Sequence, residues 1–260
     1  MKARSSHIVP IVIGLCLVFG SFIFSVGFRE MVLRALFPAT RELIYLRTGL
    51  PHMLGEHLSL VLLSSVLASI AGFSLGVFVT RPYGREFLPL VRGLSSFAQT
   101  FPPVAILALA FPVLGFGFRP TVAALFAFGI LPVLNNTIEG IESVDASLIE
   151  AAQGQGMTPG QVLLQTELPL AAQVIVAGIR TSVIINIGTA TIGATIGAGG
   201  LGTVIIAGLV RNNTAFVFTG AITAAGIALA TDWLFSRLEL VFFNPQDGVR
   251  SGHDSTRHSS

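Results

Sequence analysis

Long apolar runs recur along this chain, and each needs surroundings less polar than water. The sequence shows six of them, at about 8–28, 58–80, 93–114, 119–137, 170–196 and 215–238. About 20 apolar residues suffice for a helix to cross the hydrocarbon core of a bilayer. Only 11% of the residues are charged, whereas a soluble domain carries about 25%. We therefore predict an all-α membrane protein with about six transmembrane helices, because a membrane barrel would show shorter alternating segments.

The basic residues predict which side of the membrane each loop occupies. With both termini in the cytoplasm, nine Lys and Arg fall inside and six outside, so the positive-inside rule favours this orientation by a small margin. The resulting division is an N-terminal transmembrane helix, an extracytoplasmic loop, a core and a cytoplasmic tail, at 1–28, 29–57, 58–240 and 241–260. The polar tail is predicted to be disordered. In the outer loop, Glu30 and Arg34 can pair on a short interfacial helix.

The lysine count excludes a large class of functions. Lys2 is the only lysine in the chain. A nucleotide-binding P-loop needs a lysine after its glycines, so this chain has no such loop, and a Schiff-base lysine is excluded for the same reason. We expect no cofactor on this chain and no nucleic-acid partner, because basic stripes with interleaved aromatics are absent. If the protein performs active transport, its energy comes from another chain or an ion gradient.

Two motifs match the sequence patterns of chemical sites, but their positions in the chain argue against both functions. Gly197-Ala-Gly199-Gly200-Leu-Gly202 matches the dinucleotide-binding pattern, but it ends a predicted span instead of following a strand. We interpret it as irregular backbone, which membranes tolerate only where protein or a cavity satisfies it. His52-Met-Leu-Gly-Glu56-His57 is one residue longer than an inverted zinc-protease signature. We interpret it as a wet loop before the second span, and we expect no metal site.

Small residues recur at four-residue spacing within the spans. They form three stripes: Ala68, Gly72 and Gly76; Thr189, Gly193 and Gly197; and Gly220, Ala224 and Ala228. Such stripes let helix backbones approach closely where lipid gives no hydrophobic drive. A second interpretation is that Asn186, Thr189 and Thr191 line a solute path, because polar side chains at that depth usually face protein or water.

Arg180 and Asp232 are the candidate charges inside the spans. Asp232 continues the third stripe by four residues, so it should face protein rather than lipid. At about 1.5 Å per residue, both residues fall in the cytoplasmic half of the membrane. We predict an intramembrane ion pair, since intramembrane charges are usually paired or functional. The alternative is that Arg180 extends to the interface.

The polar segment between the fourth and fifth spans predicts two short helices on the membrane surface. The first begins at Asp145 or Ser147, and Ser147 with Glu150 fits a capping box. The second begins at Thr158 and Pro159, and Gln161 closes a second box. A helix pair of this kind is suited to docking a partner.

Glycine and proline mark the turn and the end of this helix pair. Gly154 and Gly156 separate the two helices, where a sharp turn needs residues without a Cβ. Pro169 is predicted to end the second helix.

The same segment resembles a known family. Glu150-Ala151-Ala152-x-x-x-Gly156, followed after nine residues by Thr166-Glu167-Leu168-Pro169, resembles the EAA loop of ABC importer permeases, with Thr166 where the family usually has Ile. The resemblance implies that a loop at about 138–169 is cytoplasmic and presses a coupling helix into a groove on a separate ATPase subunit. The coupling residues that it implies are Glu150, Ala151, Ala152, Gly156, Leu168 and Pro169.

Further motifs resemble the permeases for osmoprotectants within that family. They are Glu56-His57-Leu58, Val144-Asp145, Gly178-Ile-Arg180-Thr181, Ile187–Thr191 and Ile196–Gly202, and the match covers about 55–240. The resemblance implies a permease subunit, not an enzyme, that imports glycine betaine, choline or a similar quaternary ammonium across a bacterial inner membrane. Its implied partners are a cytoplasmic ATP-binding subunit, a second permease copy in a homo- or heterodimer, an extracytoplasmic solute-binding protein and membrane lipid.

Other functions remain open at this point. Related permeases for methionine or phosphonates share the EAA loop and a glycine-rich end to the fifth span. A membrane-embedded enzyme would need a cluster of acid, base or metal-binding residues at one depth in the spans. An ion-coupled carrier or channel would make the acidic loop a solvated surface only.

Overall fold

The protein is described by a computed structural model that covers residues 8–243, and every regular element in that part of the chain is helical. The α-helices are α1 Ile8–Phe24, α2 Val26–Leu36, α3 Leu50–Thr80, α4 Leu88–Ala98, α5 Pro103–Leu114, α6 Phe118–Glu142, α7 Ala146–Gly154, α8 Pro159–Val162, α9 Leu168–Thr189, α10 Gly202–Val210 and α11 Thr214–Phe242. Tighter or wider turns occupy Arg85–Phe87, Leu163–Glu167 and Ala190–Ile196. The predicted all-α class is confirmed. Residues 241 and 242 belong to α11, so the predicted disordered tail does not begin there, and the rest of it from 244 lies outside the described residues.

The first predicted span is shorter than expected, because α1 ends at Phe24. The Ser25 hydroxyl accepts the Phe28 N–H at 3.3 Å and caps a new helix, α2. Arg29 is buried and donates to the carbonyl oxygens of Phe22 and Ile23, at 3.1 and 2.9 Å. These two carbonyls sit at the end of α1, where a helix has no internal donors left. The outer loop therefore begins with a helix, on which Arg34 and Glu30 pair at 2.7 Å as predicted.

The third predicted span, 93–114, is not a single straight helix. It consists of the Arg85–Ala98 segment and α5, which bend by 99° at the residues between them. Pro102 and Pro103 lie at the bend and carry no N–H, so they cannot continue the ladder of hydrogen bonds from the preceding turn.

Close glycine contacts give the relative directions of the long helices. A Cβ on Gly72 would lie 2.9 Å from Val133, and one on Gly76 would lie 2.7 Å from Thr137, so α3 and α6 run parallel. Gly140 packs on Ala171, whereas Gly129 packs on Ser182 and Asn186, so α9 runs antiparallel to α6. The first predicted stripe of small residues is thus confirmed as a packing surface.

The parallel arrangement of α3 and α6 also fixes the role of the bent pair between them. Two parallel spans can follow one another only if the intervening chain returns across the membrane, so α4 and α5 together make one crossing. Four further helical segments are long and apolar enough to span: α3, α6, α11 and Pro159–Ile196. The described helices therefore give four spans, or five with the bent pair. The 17-residue α1 is apolar but slightly shorter than these segments, so the count is roughly consistent with the predicted six.

Candidate coupling segment and helix contacts

The segment between α6 and α9 begins with a capped helix. The Asp145 carboxylate accepts the Ser147 N–H at 2.8 Å, which makes Asp145 the N-cap of α7. This backbone hydrogen bond holds the pKa of Asp145 below its ordinary value. The predicted capping box of Ser147 and Glu150 is therefore wrong, and the alternative start at Asp145 is correct.

The second helix begins as predicted. The Thr158 N–H donates to Gln161 Oε1 at 2.8 Å, and the Gln161 N–H donates to Thr158 Oγ1 at 3.4 Å, which completes a capping box. Gly156 precedes it with φ at +85°, in the left-handed region that favours glycine. Gly154 is the last residue of α7 and does not have a positive φ, so the turn depends on Gly156 alone.

Pro169 does not end the second helix, contrary to the prediction. A π-helical turn at Leu163–Glu167 joins α8 to α9, and Pro169 lies in the first turn of α9. Widening one turn lets the chain accommodate a residue that lacks an N–H, and π-turns of this kind are frequent at functional sites. The helix that starts at the surface therefore continues without a break through the membrane, as one 38-residue segment from Pro159 to Ile196.

The surface of this segment carries apolar residues that are open to contact. Leu148 is 47% exposed and Leu164 is 67% exposed, although both lie among polar residues. Glu150 and Ala151 are also exposed, whereas Ala152 is buried within the segment. Of the two alanines in the motif, Ala151 alone can touch a partner directly.

The last two residues of the motif lie where the segment enters the membrane. Pro169 is exposed, and Leu168 packs against a small cluster of Ile141, Ala171 and Ile175. Leu168 therefore links the motif to α6 and α9.

An ion pair that the sequence reasoning missed ties the segment to α3. Arg81 Nη1 lies 2.6 Å from Glu167 Oε2, and these side chains are only 14% and 8% exposed. Arg81 directly follows the second span and Glu167 directly precedes the fifth. Both residues lie at predicted cytoplasmic ends of spans, and this shared position could have indicated the pair from the sequence. A second pair, Arg92 with Glu142, joins α4 to the end of α6.

The predicted intramembrane charges lie next to each other, and a third charge joins them. Arg180 Nε donates to Asp232 Oδ1 at 2.7 Å, and Arg180 Nη1 lies 3.2 Å from Glu239 Oε2. Asp232 and Glu239 are seven residues apart, so two turns of α11 place them on one face. This spacing could have identified Glu239 from the sequence.

The candidate path residues fall in two environments. Asn186 is fully buried between α3 and α9, and its amide donates to Ser65 Oγ at 3.0 Å and to Ser64 Oγ at 3.3 Å. Thr189 and Thr191 are only half-buried. Asn186 therefore joins helices in this chain, and only the two threonines remain accessible to a solute.

The motif at His52–His57 is not a wet loop. It lies within the first turns of α3, and His57 is fully buried with Nε2 at 3.0 Å from the Ile187 carbonyl oxygen. Glu56 Oε2 accepts the Gly200 N–H at 2.8 Å. Among residues 8–243, His, Cys, Asp and Glu form no group that could hold a metal ion. The motif instead contacts the glycine-rich turn, which has positive φ at Gly197, Gly199 and Gly200.

These features are those of an integral membrane protein in which an exposed helical segment, Ala146–Val162, continues directly into a spanning helix. The chain belongs to the family of binding-protein-dependent transport system inner membrane components, which its residues 68–240 match. The predicted resemblance to importer permeases is therefore confirmed. In this family, transport across the inner membrane is coupled to ATP hydrolysis on a separate subunit and to a solute-binding protein. The alternatives of a membrane-embedded enzyme and an ion-coupled carrier are thereby excluded.

Curated relatives agree with this assignment. The chain is 40% identical over 184 residues to the choline transport system permease protein OpuBB of Bacillus subtilis (strain 168), covering 71% of this chain and 84% of that protein. It is 36% identical over 230 residues to the osmoprotectant import permease protein OsmY of Salmonella typhimurium (strain LT2), covering 88% and 92%.

A solved structure agrees with the fold. The MetNI methionine ABC transporter in an inward-facing conformation matches with a TM-score of 0.63 at 20% identity, over 72% of this chain and 93% of that one.

Proposed function

We propose that this permease subunit moves glycine betaine, choline or a similar quaternary ammonium into the cell. The observation that carries the proposal is that relatives 36–40% identical over most of the chain are permeases for choline and osmoprotectants. The likeness to the methionine transporter, at 20% identity, concerns the fold alone.

The charges in the spans support a cationic solute that must be released. Asp232 and Glu239 both contact Arg180, so neither carboxylate is free to trap a quaternary ammonium. The half-buried Thr189 and Thr191 offer neutral polar contacts on the candidate path. A quaternary ammonium group has no N–H to donate and is captured by aromatic faces, and the tight site of this kind belongs on the solute-binding protein.

The docking segment supports an ATP-binding partner on the cytoplasmic side. Glu150, Ala151 and Gly156 would contact or shape the surface that enters the ATPase groove, and exposed Leu148 and Leu164 would add apolar contact. Because Pro159–Ile196 is one continuous helical segment, a shift at the docking surface would be carried to Arg180 and onward to Thr189 and Thr191.

The proposed arrangement places both termini and the docking segment in the cytoplasm, and the 29–57 loop outside. Two permease copies, identical or different, would enclose the solute path and expose their remaining apolar faces to lipid. Reporter enzymes fused after Gly154 and after Leu50 test this topology. The fusion after Gly154 should place its reporter in the cytoplasm, and the fusion after Leu50 should place its reporter outside. The reverse pattern would overturn the arrangement.

Uptake of labelled solutes tests the substrate class. Cells with and without this chain, in a background lacking other betaine and choline transporters, should differ in uptake of labelled glycine betaine or choline, and not of labelled methionine. A cell that expresses the permease with an inactive ATPase subunit is the matched control. Methionine uptake, or no difference for either ammonium compound, would reject the substrate assignment.

A further inference from the structure

The end of α9 farthest from the docking segment departs from α-helical geometry. The helix tightens into a 3₁₀ segment at Ala190–Ile196, and the chain then turns through Gly197, Gly199 and Gly200, which all have positive φ. Hydrogen-bond geometry is poorer in 3₁₀ turns than in an α-helix, so this end is held less firmly by its own backbone bonds than the rest of α9. We refer to Ala190–Gly200 as the interrupted end of α9.

Two consecutive side chains of α3 hold this interrupted end. Glu56 Oε2 accepts the Gly200 N–H at 2.8 Å, and its other oxygen lies 3.2 Å from His52 Nε2. His57 Nε2 donates to the Ile187 carbonyl oxygen at 3.0 Å, one turn before the 3₁₀ segment begins. The His57 bond therefore holds the regular part of α9, and the Glu56 bond holds the glycine turn beyond it.

The packing around these two bonds is tight. A Cβ on Gly199 would lie 2.5 Å from Glu56 Oε2, and one on Gly200 would lie 3.2 Å from the His57 ring. A backbone hydrogen bond also joins the interrupted end to the residue before α6, because the Gly117 N–H donates to the Ile196 oxygen at 2.8 Å. Irregular backbone at this depth must be satisfied by protein or by a water-filled cavity.

The other end of the same helical segment, at Pro159, follows the docking helix α7 across the turn at Gly156. A displacement there reaches the interrupted end without crossing a helix break, because Pro159–Ile196 is continuous. The bonds from α3, together with the Gly117–Ile196 bond, then keep the interrupted end in place.

We propose that the interrupted end of α9 forms an extracytoplasmic gate on the solute path and that Glu56 and His57 are its positioning residues. The gate opens when the Glu56–Gly200 bond breaks and the interrupted end moves away from α3. His57 remains bonded to Ile187 and serves as the fixed point of this movement. The proposal rests on the transport function and not on which solute is carried.

Substitutions that separate hydrogen bonding from volume test the clamp. Glu56→Leu removes the acceptor, and Glu56→Gln keeps one. Losing a hydrogen bond to a charged acceptor should shift the gate equilibrium about tenfold. In nanodiscs with its ATPase subunit, Glu56→Leu should therefore raise ATP hydrolysis without binding protein by about tenfold. Glu56→Gln keeps a neutral acceptor that is about half as strong, so it should raise hydrolysis by only about threefold.

The matched control is Glu42→Leu, since Glu42 is an exposed outer acid that contacts Arg211 and not the glycine turn. If Glu56→Leu behaves like Glu42→Leu, or Glu56→Gln like Glu56→Leu, the clamp is rejected. If the wild-type transporter imports neither betaine nor choline but the ATPase responses of the variants are as expected, the solute assignment is rejected and the clamp proposal stands.

A labelling experiment tests gate movement without altering the clamp. Cys16 is the only cysteine, so Cys16→Ser gives a background for the reporter Ala190→Cys, which is fully buried against α3 while the clamp is formed. Labelling by a membrane-impermeant maleimide should rise severalfold when ATP and vanadate trap the transporter, as expected for a population shift. Equal labelling in the resting and trapped states would overturn the proposal.

Discussion

The two ends of α9 are held to α3 by different kinds of contact. At the docking end, Arg81 and Glu167 form a buried ion pair between two side chains. At the other end, Glu56 and His57 bond to backbone groups of an interrupted helix. A side-chain pair tolerates small shifts of the backbone, because both side chains can follow. A bond to a backbone amide in a glycine turn is lost when that turn unwinds. The ion pair is therefore an anchor that can follow small shifts of α9, whereas the Glu56–Gly200 bond is the contact that the proposed gate releases.

The largest expected effect comes from breaking the anchor. Glu167→Leu leaves Arg81 without its partner in a site where little water can reach it, and should destabilise the permease by about 3–5 kcal/mol. Thermal unfolding in detergent and the yield of folded protein measure this loss. The double variant Arg81→Met with Glu167→Leu should recover a large part of it, since no charge remains buried. A single variant as stable as wild type would show that the pair does not anchor α9.

The next effect concerns the turn that presents the docking surface. Gly156→Val places a branched side chain at φ +85°, at a cost of about 1–3 kcal/mol, although nothing lies within 4 Å of the added Cβ. The complex should still assemble, whereas uptake should fall at least about tenfold because the docking helix is displaced. Glu150→Ala should also reduce uptake.

Gly154→Val is the matched control for the turn. Gly154 also has open space around it but no positive φ, so its substitution should preserve most uptake. Uptake near wild type for both Gly156→Val and Glu150→Ala, at equal expression, would mean that this segment is not the coupling element.

A smaller effect is expected between the two ends, where Arg180 contacts Asp232 and Glu239. Arg180→Gln and Asp232→Asn should each lower folded yield, and the double variant should lose less than the sum, with a coupling energy of about 0.5–3 kcal/mol. Glu239→Gln in place of Asp232→Asn compares the two acids. Strictly additive losses for both acids would argue against pairing.

The smallest effect belongs to the cap of α7. The pKa of Asp145 is lowered by its bond from the Ser147 N–H. A lowered folded pKa means that the cap contributes its stability above the unfolded pKa, about 3.9, and loses it as the pH falls through the folded value. The amide chemical shift of Ser147 should therefore titrate with a midpoint below the ordinary value for Asp. The same signal in Asp145→Asn should not titrate, and a midpoint above the ordinary value would contradict the assignment.

Local pattern and composition were enough to predict several features of this protein. Apolar runs predicted a membrane protein with about six spans, and the single lysine excluded a P-loop on this chain. The Thr158–Gln161 box and the turn at Gly156 were predictable because capping and positive φ depend on residues within a few positions of each other. The spacing of Ala68, Gly72 and Gly76 likewise predicted a close helix contact.

Features that join distant parts of the chain became evident only in the folded arrangement of the helices. The ion pair of Arg81 with Glu167 and the burial of His57 depend on which helices become neighbours. Pro169 shows the same limit. A proline normally ends a helix, but here a widened turn keeps the docking helix continuous with α9. The physical reason is that helix packing favours particular pairs of side chains and particular backbone distortions, and the linear order of residues does not reveal which helices will be neighbours.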